Sequence, residues 1–123
     1  MVIHQRLELK DRNHSFIFGI GFLREVNKHN VITADGIQIK MGLQNLTVNL
    51  LNRDMETLFD TLKWANKTES PRIKDNELET LIAETDDIDE LFEEVVEAMS
   101  ESNFTKEVVA KAKSVMTVTK KEA

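Results

Sequence analysis

The first twenty residues alternate between apolar and polar positions, with the period of two that is typical of a strand with one buried face. Residues 3–9 form one such run and residues 15–19 form another, with a polar segment at 11–14 between them. This order predicts an N-terminal β-hairpin. An isolated hairpin is only marginally stable in water, so its apolar face must pack against another part of the chain.

The period changes at Phe22 to that of a short helix, which ends near Asn30. Runs rich in β-branched residues at 31–33 and 37–39 then flank Asp35–Gly36, a pair that favours a tight turn. They predict a second small hairpin or an ordered loop.

From residue 43 onward the pattern is helical, with apolar residues three and four positions apart. Suitable N-caps are Asp54, then Asp86 or Asp87, and finally Thr105. Residues 66–74, which include the only proline, predict a loop. The apolar stripes lie at Leu43–Leu51, Met55–Ala65, Leu78–Ile82, Ile88–Met99 and Val108–Met116.

These elements predict an α+β fold that is mainly α, with one or two N-terminal hairpins followed by about four or five short helices. A chain of 123 residues is long enough for one core. We therefore expect a single domain over residues 1–123, made of a hairpin and short-helix region at 1–42, a helical region at 43–118 and an exposed tail at 119–123.

The amino-acid composition of the chain argues against several classes of function. The absence of cysteine excludes disulfides, thiolate metal ligands and cysteine nucleophiles. A net charge of −6 and an aromatic content of 6% disfavour nucleic-acid binding. No apolar run approaches the roughly 20 residues of a membrane-spanning helix, and the N-terminus lacks the pattern of a secretory signal.

Negative charge is concentrated in one segment. Residues 75–101 carry 12 acidic side chains and no basic ones, whereas residues 1–74 and 102–123 each have a net charge of +3. Such a segment repels itself unless salt or a partner offsets the charge. It is either a solubilising face or a docking face for a basic partner. The candidate partner-binding residues are Glu90, Glu93, Glu94 and Glu97, together with Phe92 and Met99, which also fit the core stripe of their helix.

Three weak chemical motifs do not satisfy the requirements of their sites. The Gly19–Gly21 motif lacks the third glycine of a dinucleotide-binding loop, since Arg24 stands in that place. A calcium loop starting at Asp87 would need an oxygen ligand and a glycine where Leu91 and Phe92 stand. The three histidines show no metal-ligand spacing. We expect no enzymatic activity, no cofactor and no metal.

Four stretches of the chain, read in order after the N-terminal strand pair, carry a family pattern. They are residues 18–27, 36–44, 58–62 and 89–95, which read FGIGFLREVN, GIQIKMGLQ, LFDTL and DELFEEV. In combination they resemble the tail assembly chaperones of long-tailed, siphovirus-type phages and prophages of Gram-positive bacteria.

The resemblance implies a binding function. Such proteins bind the tape measure protein, a very long and hydrophobic helical polypeptide, and keep it soluble. They help the major tail protein to polymerise around it, act in the cytoplasm of the bacterial host, and are absent from the mature virion. The expected partners are these two proteins, with self-association left open and no nucleic acid or membrane. The alternative is a small acidic inhibitor or nucleic-acid mimic that occupies a basic groove of a host protein.

The resemblance also implies a second, longer form of the chain. Many tail assembly chaperones are made in two lengths by programmed ribosomal frameshifting. Residues 119–121 read Thr-Lys-Lys, and their codons could form a slippery heptamer rich in adenine. A frameshifted longer form is therefore a further expected partner.

Overall fold

A computed structural model describes residues 6–8, 14–29, 31–40 and 42–122, and these residues form two antiparallel ribbons of two strands and six helices. The predicted count of four or five helices is therefore too low. One helix lies between the two ribbons and five follow them. In chain order the elements are β1 (Arg6–Glu8), β2 (Ser15–Ile17), α1 (Ile20–His29), β3 (Val31–Ala34), β4 (Ile37–Lys40), α2 (Gly42–Leu51), α3 (Met55–Asn66), α4 (Asp75–Ala83), α5 (Ile88–Glu101) and α6 (Lys106–Glu122).

Each ribbon pairs two strands that are neighbours in the sequence. Leu7 of β1 lies opposite Phe16 of β2, although the turn predicted between them falls mostly outside the described residues. In the second ribbon, β3 and β4 are joined by Asp35 and Gly36, whose φ angles are 51° and 76°. Positive φ at both central residues is what a two-residue hairpin turn requires.

Three of the helices begin with a hydrogen bond between a side chain and a backbone N–H three residues away. Asp54 caps α3 by accepting a hydrogen bond of 3.0 Å from the backbone N–H of Thr57. Asp87 caps α5 in the same way, accepting from the N–H of Glu90 at 3.1 Å. These two predicted caps are confirmed. Helix α4 begins differently, since the carboxylate of Glu77 reaches back to the N–H of Lys74 at 3.0 Å.

The turn between α5 and α6 differs from the prediction. Thr105 does not cap α6 as predicted. Its hydroxyl donates instead to the carbonyl of Met99 in the last turn of α5. Ser102 instead accepts a hydrogen bond of 3.2 Å from the N–H of Phe104. Helix α6 then continues to Glu122, over a segment that the sequence assigned to a tail.

The core forms where β2 and the segment after it meet all six helices, with Leu78 as the fully buried contribution of α4. Phe18 and Phe22 meet edge to face, with ring centroids 5.0 Å apart and planes at 76°. The helices contribute the apolar stripes that their spacing predicted. The largest fully buried side chains are Phe16, Phe18, Phe22, Phe92, Leu50, Leu58, Leu62, Leu78, Met99, Val26, Val95 and Val109.

A buried amide joins the first ribbon to the end of α3 and the following loop. We call this set of contacts the Asn66 junction. The Nδ2 of Asn66 donates to the carbonyls of Ser15 and Pro71, at 3.0 and 3.3 Å. Its Oδ1 accepts from the N–H of Ile73 at 2.8 Å. Because Asn66 is fully buried, these three bonds take the place of water that its side chain loses on folding.

Candidate partner-binding surface

Helix α5 separates apolar and acidic residues onto opposite faces. Its inner face packs Leu91, Val95 and Val96 into the core. Its outer face holds carboxylates along its whole length. Those in the first turn, Asp89 and Glu90, lie at the positive end of the helix dipole, where negative charge is favourable. The sequence pattern predicted this division correctly.

One row of these carboxylates is compensated by an arginine. The Nε of Arg53 lies 3.3 Å from Oδ1 of Asp89, and its Nη2 lies 3.6 Å from Oε1 of Glu93. The guanidinium carbon also lies 5.4 Å from the centroid of the Phe92 ring. Both carboxylates are more than two-thirds exposed, so these ion pairs contribute little to stability. Their main consequence is that Glu93, one of the candidate residues, already has a cationic neighbour.

The contacts of Arg53 with α5 could not be predicted from the sequence, because no local pattern distinguishes this residue. It follows α2 in the turn before the Asp54 cap, with a φ of 63°. This left-handed conformation is uncommon for a residue with a side chain. Its partners lie on α5, nearly forty residues further along the chain. The only local signal was that Asn52 and Arg53 interrupt the helical pattern.

A second row of carboxylates has no such cation. We call Glu90, Glu94 and Glu97 the acidic row. Among the described residues, no lysine or arginine forms an ion pair with any of the three. Burial raises the pKa of the Glu94 carboxyl, and the neighbouring carboxylates of Glu90 and Glu97 raise it further. The acidic row is therefore a place where an added positive charge would relieve repulsion.

The two apolar candidates lie in the core instead of on this surface. Phe92 is 1% exposed and Met99 is fully buried. In this conformation a partner that contacts the acidic row does not reach either side chain. The helical spacing of the two residues is compatible with a core position and with a binding groove, because the sequence pattern of an apolar helix face is the same in both cases.

The motifs that the sequence analysis set aside have structural roles. Asp87 caps α5 and Asp89 pairs with Arg53, so two carboxylates of the rejected calcium loop are already engaged. Gly21 lies against Thr68, and a Cβ at that position would collide with the threonine methyl. Over the described ranges, no cluster of histidines and carboxylates could hold a metal, and no helix is long and apolar enough to cross a bilayer.

Comparison with protein-family models identifies a family. Residues 6–113 match the family model described as phage tail assembly chaperone protein, TAC. Neither the curated proteins nor the solved structures provide a match. The family match includes both ribbons, helices α1 to α5 and the first half of α6. The resemblance seen in the sequence is confirmed at this level, and the chain belongs to the phage tail assembly chaperone family.

Proposed function

We propose that this protein binds the tape measure protein, keeps that client soluble, and helps the major tail protein to polymerise around it. The observation that carries the proposal is the family match, which spans residues 6–113. The proposed role is binding without catalysis. It takes place in the cytoplasm of the bacterial host, and the protein is absent from the mature virion.

The acidic outer face of α5 is the proposed docking face. Its contact residues are Glu90, Glu93, Glu94 and Glu97. Three of these form the acidic row, which has no cation among the described residues, and the repulsion within the row favours binding of a basic segment. The same charge would keep a complex with a hydrophobic client soluble. Phe92 and Met99 would join the contact only if α5 moved away from the core.

Co-expression tests the chaperone activity. The tape measure protein is produced alone and together with this chain, and its soluble fraction is measured after centrifugation. We expect the soluble fraction to rise several-fold with the full chain present. An unchanged soluble fraction, with this chain itself folded and abundant, would contradict the proposal.

Charge variants test the docking face separately. Replacing Glu90, Glu93, Glu94 and Glu97 by glutamine should weaken client binding and reduce its dependence on salt. The matched control removes four negative charges from exposed positions elsewhere: Asp35→Asn with Glu79→Gln, Glu84→Gln and Glu107→Gln. Equal affinity of the two variants at low salt would leave solubility as the only role of the acidic face.

Assembly of the tail tube tests the second half of the proposal. Purified major tail protein is mixed with the tape measure protein, with and without this chain, and the tubes are measured by electron microscopy. We expect tubes of uniform length only when all three proteins are present. The proposed alternative partner, a host nuclease or polymerase with a basic groove, would instead be captured from a lysate while the tape measure protein was not.

The longer form is a separate proposal. We propose that ribosomes slip on codons 119–121 and continue in an overlapping frame. The gene should then have a slippery heptamer at these codons, and the overlapping frame should stay open well past codon 123. A threonine codon that ends in C or G would contradict slippage at this site.

A further inference from the structure

A cleft of about 310 Å³ opens between α1, α2 and α3, on a different part of the surface from α5. His29 and Trp64 form an aromatic wall on one side of it. Polar side chains, among them those of Asn45, Asn49 and Asp60, also line the cleft. None of these residues belongs to the proposed docking face on α5.

The aromatic wall is held in place by stacking. The rings of His29 and Trp64 are nearly parallel, with an interplanar angle of 11° and centroids 4.9 Å apart. His29 is the last residue of α1 and Trp64 lies in the last turns of α3. The contact therefore fixes the positions of both rings at the point where the two helices approach each other.

The carboxylate of Asp60 lies one helical turn before Trp64, on the same face of α3. Among the described residues, no hydrogen-bond donor or cation contacts it directly. Burial raises its pKa, and the charges of Glu56 and Asp54 act in the same direction, against the opposing effects of Lys63 and His29. An ionised Asp60 is thus a negative charge without an ion pair among the described residues, in a cleft that two amide side chains also line.

We propose that this cleft binds the guanidinium group of an arginine side chain of a partner protein. A guanidinium is planar, so it fits against an aromatic wall, and it donates hydrogen bonds in a fork that matches a carboxylate. The side-chain oxygens of Asn45 and Asn49 provide further acceptors. An ammonium group has the charge but not the plane, and an anionic ligand would be repelled by Asp60. The proposal does not depend on the identity of the client.

The fluorescence of Trp64 offers a direct test, because it is the only tryptophan of the chain. The full-length protein is titrated with N-acetyl-arginine amide at constant ionic strength. We expect a saturable change of emission in the millimolar range. N-acetyl-lysine amide, with the same charge, and N-acetyl-citrulline amide, with nearly the same shape, should bind about tenfold more weakly.

Two variants that remove the same charge complete the test. Asp60→Asn keeps the shape of the cleft and should weaken binding of the arginine amide by about tenfold or more. Glu79→Gln, on an exposed position of α4, should leave it unchanged. Far-ultraviolet circular dichroism checks that both variants are folded. An unsaturated response, equal responses to the arginine and lysine amides, or full binding by Asp60→Asn would each overturn the proposal. Because no client is present, these outcomes are independent of the co-expression result.

Discussion

Polar groups have opposite surroundings in the Asn66 junction and in the acidic row of α5. At the junction an amide is fully buried, and both of its ends form hydrogen bonds with the backbone. In the acidic row three carboxylates lie close together, without a cation among the described residues. At the junction, burial leaves the amide only these backbone groups as partners. The acidic row leaves negative charge that only solvent, salt or another molecule can offset.

The difference separates a part of the molecule that fixes the fold from a part that we propose as the docking face. A buried amide that lost its partners would cost far more than it contributes when satisfied, so the junction permits only one arrangement of ribbon, helix and loop. Repulsion between exposed carboxylates costs only a few tenths of a kcal/mol for each pair. The fold can therefore tolerate the acidic row at a small loss of stability.

The largest expected effect comes from breaking the junction. Asn66→Ala should lower the free energy of unfolding by about 3 kcal/mol, because the N–H of Ile73 and the carbonyl of Ser15 lose their partner in a buried site. Chemical denaturation of the variant and the wild type measures the difference. The matched control is Asn103→Ala, at an exposed position, which should change stability by less than about 0.5 kcal/mol. Similar losses of stability for the two variants would contradict the claim that the hydrogen bonds of the buried amide cause the effect.

The sequence predicted the caps of α3 and α5 but not this junction, and the reason is distance along the chain. Asp54 and Asp87 bond to N–H groups three residues away, so the local pattern contains the whole interaction. Asn66 bonds to Ser15, 51 residues away, and its own surroundings look like an ordinary polar loop.

The same reason separates the predicted from the unpredicted parts of the candidate sites. The acidic row is a helical pattern within one segment, and the sequence placed it correctly on the outer face of α5. The partners of Arg53 and the cleft beside Trp64 depend on how separate helices pack, which no local pattern specifies. The sequence around Trp64 predicts only a helix with an apolar stripe.

A second prediction tests the close packing of α1 against the end of α3, next to the junction. Gly21→Ala should destabilise the protein by about 1.5 kcal/mol, since overpacking outweighs the better helix propensity of alanine. Thr68→Ser removes the methyl group that the new Cβ would meet. In that background Gly21→Ala should become stabilising. Thermal unfolding of the four proteins in this double-mutant cycle measures the reversal, and a loss of stability that persists in the Thr68→Ser background would contradict the packing argument.

A third prediction concerns Glu25, a carboxylate that is paired where the acidic row is not. Lys28 donates to it at 2.9 Å and Lys67 lies 3.2 Å away, and the hydrogen bond from Lys28 is the main cause of its lowered pKa. Glu25→Gln should lower the free energy of unfolding by about 1 kcal/mol at neutral pH, a moderate value because both lysines are more than half exposed.

The pH dependence of this loss has a definite sign. A lowered pKa means that the unfolded state binds the proton more readily, so the stabilisation by Glu25 is complete above the ordinary carboxyl pKa of 4.5. It disappears as the pH falls through the lower pKa of the folded state. Denaturation curves of wild type and Glu25→Gln should converge in that window. A constant gap down to the lowest pH would contradict the ion-pair argument.

The smallest expected effect has the opposite sign and belongs to the acidic row. Burial and the charges of Glu90 and Glu97 raise the pKa of Glu94, so the folded state binds its proton more readily than the unfolded state does. Ionised Glu94 is therefore mildly destabilising at neutral pH, and this cost vanishes below the ordinary carboxyl pKa of 4.5. Glu94→Gln should stabilise the protein by roughly 0.3 kcal/mol for each like-charge neighbour at neutral pH, with no gain in acid. The comparison variant Glu101→Gln removes a charge at the negative end of the dipole of the same helix, so it measures the gain that comes from the dipole and not from the row. A stability loss on Glu94→Gln at neutral pH would mean that this carboxylate has a favourable partner, and the row would then be a structural contact and not a surface left open for binding.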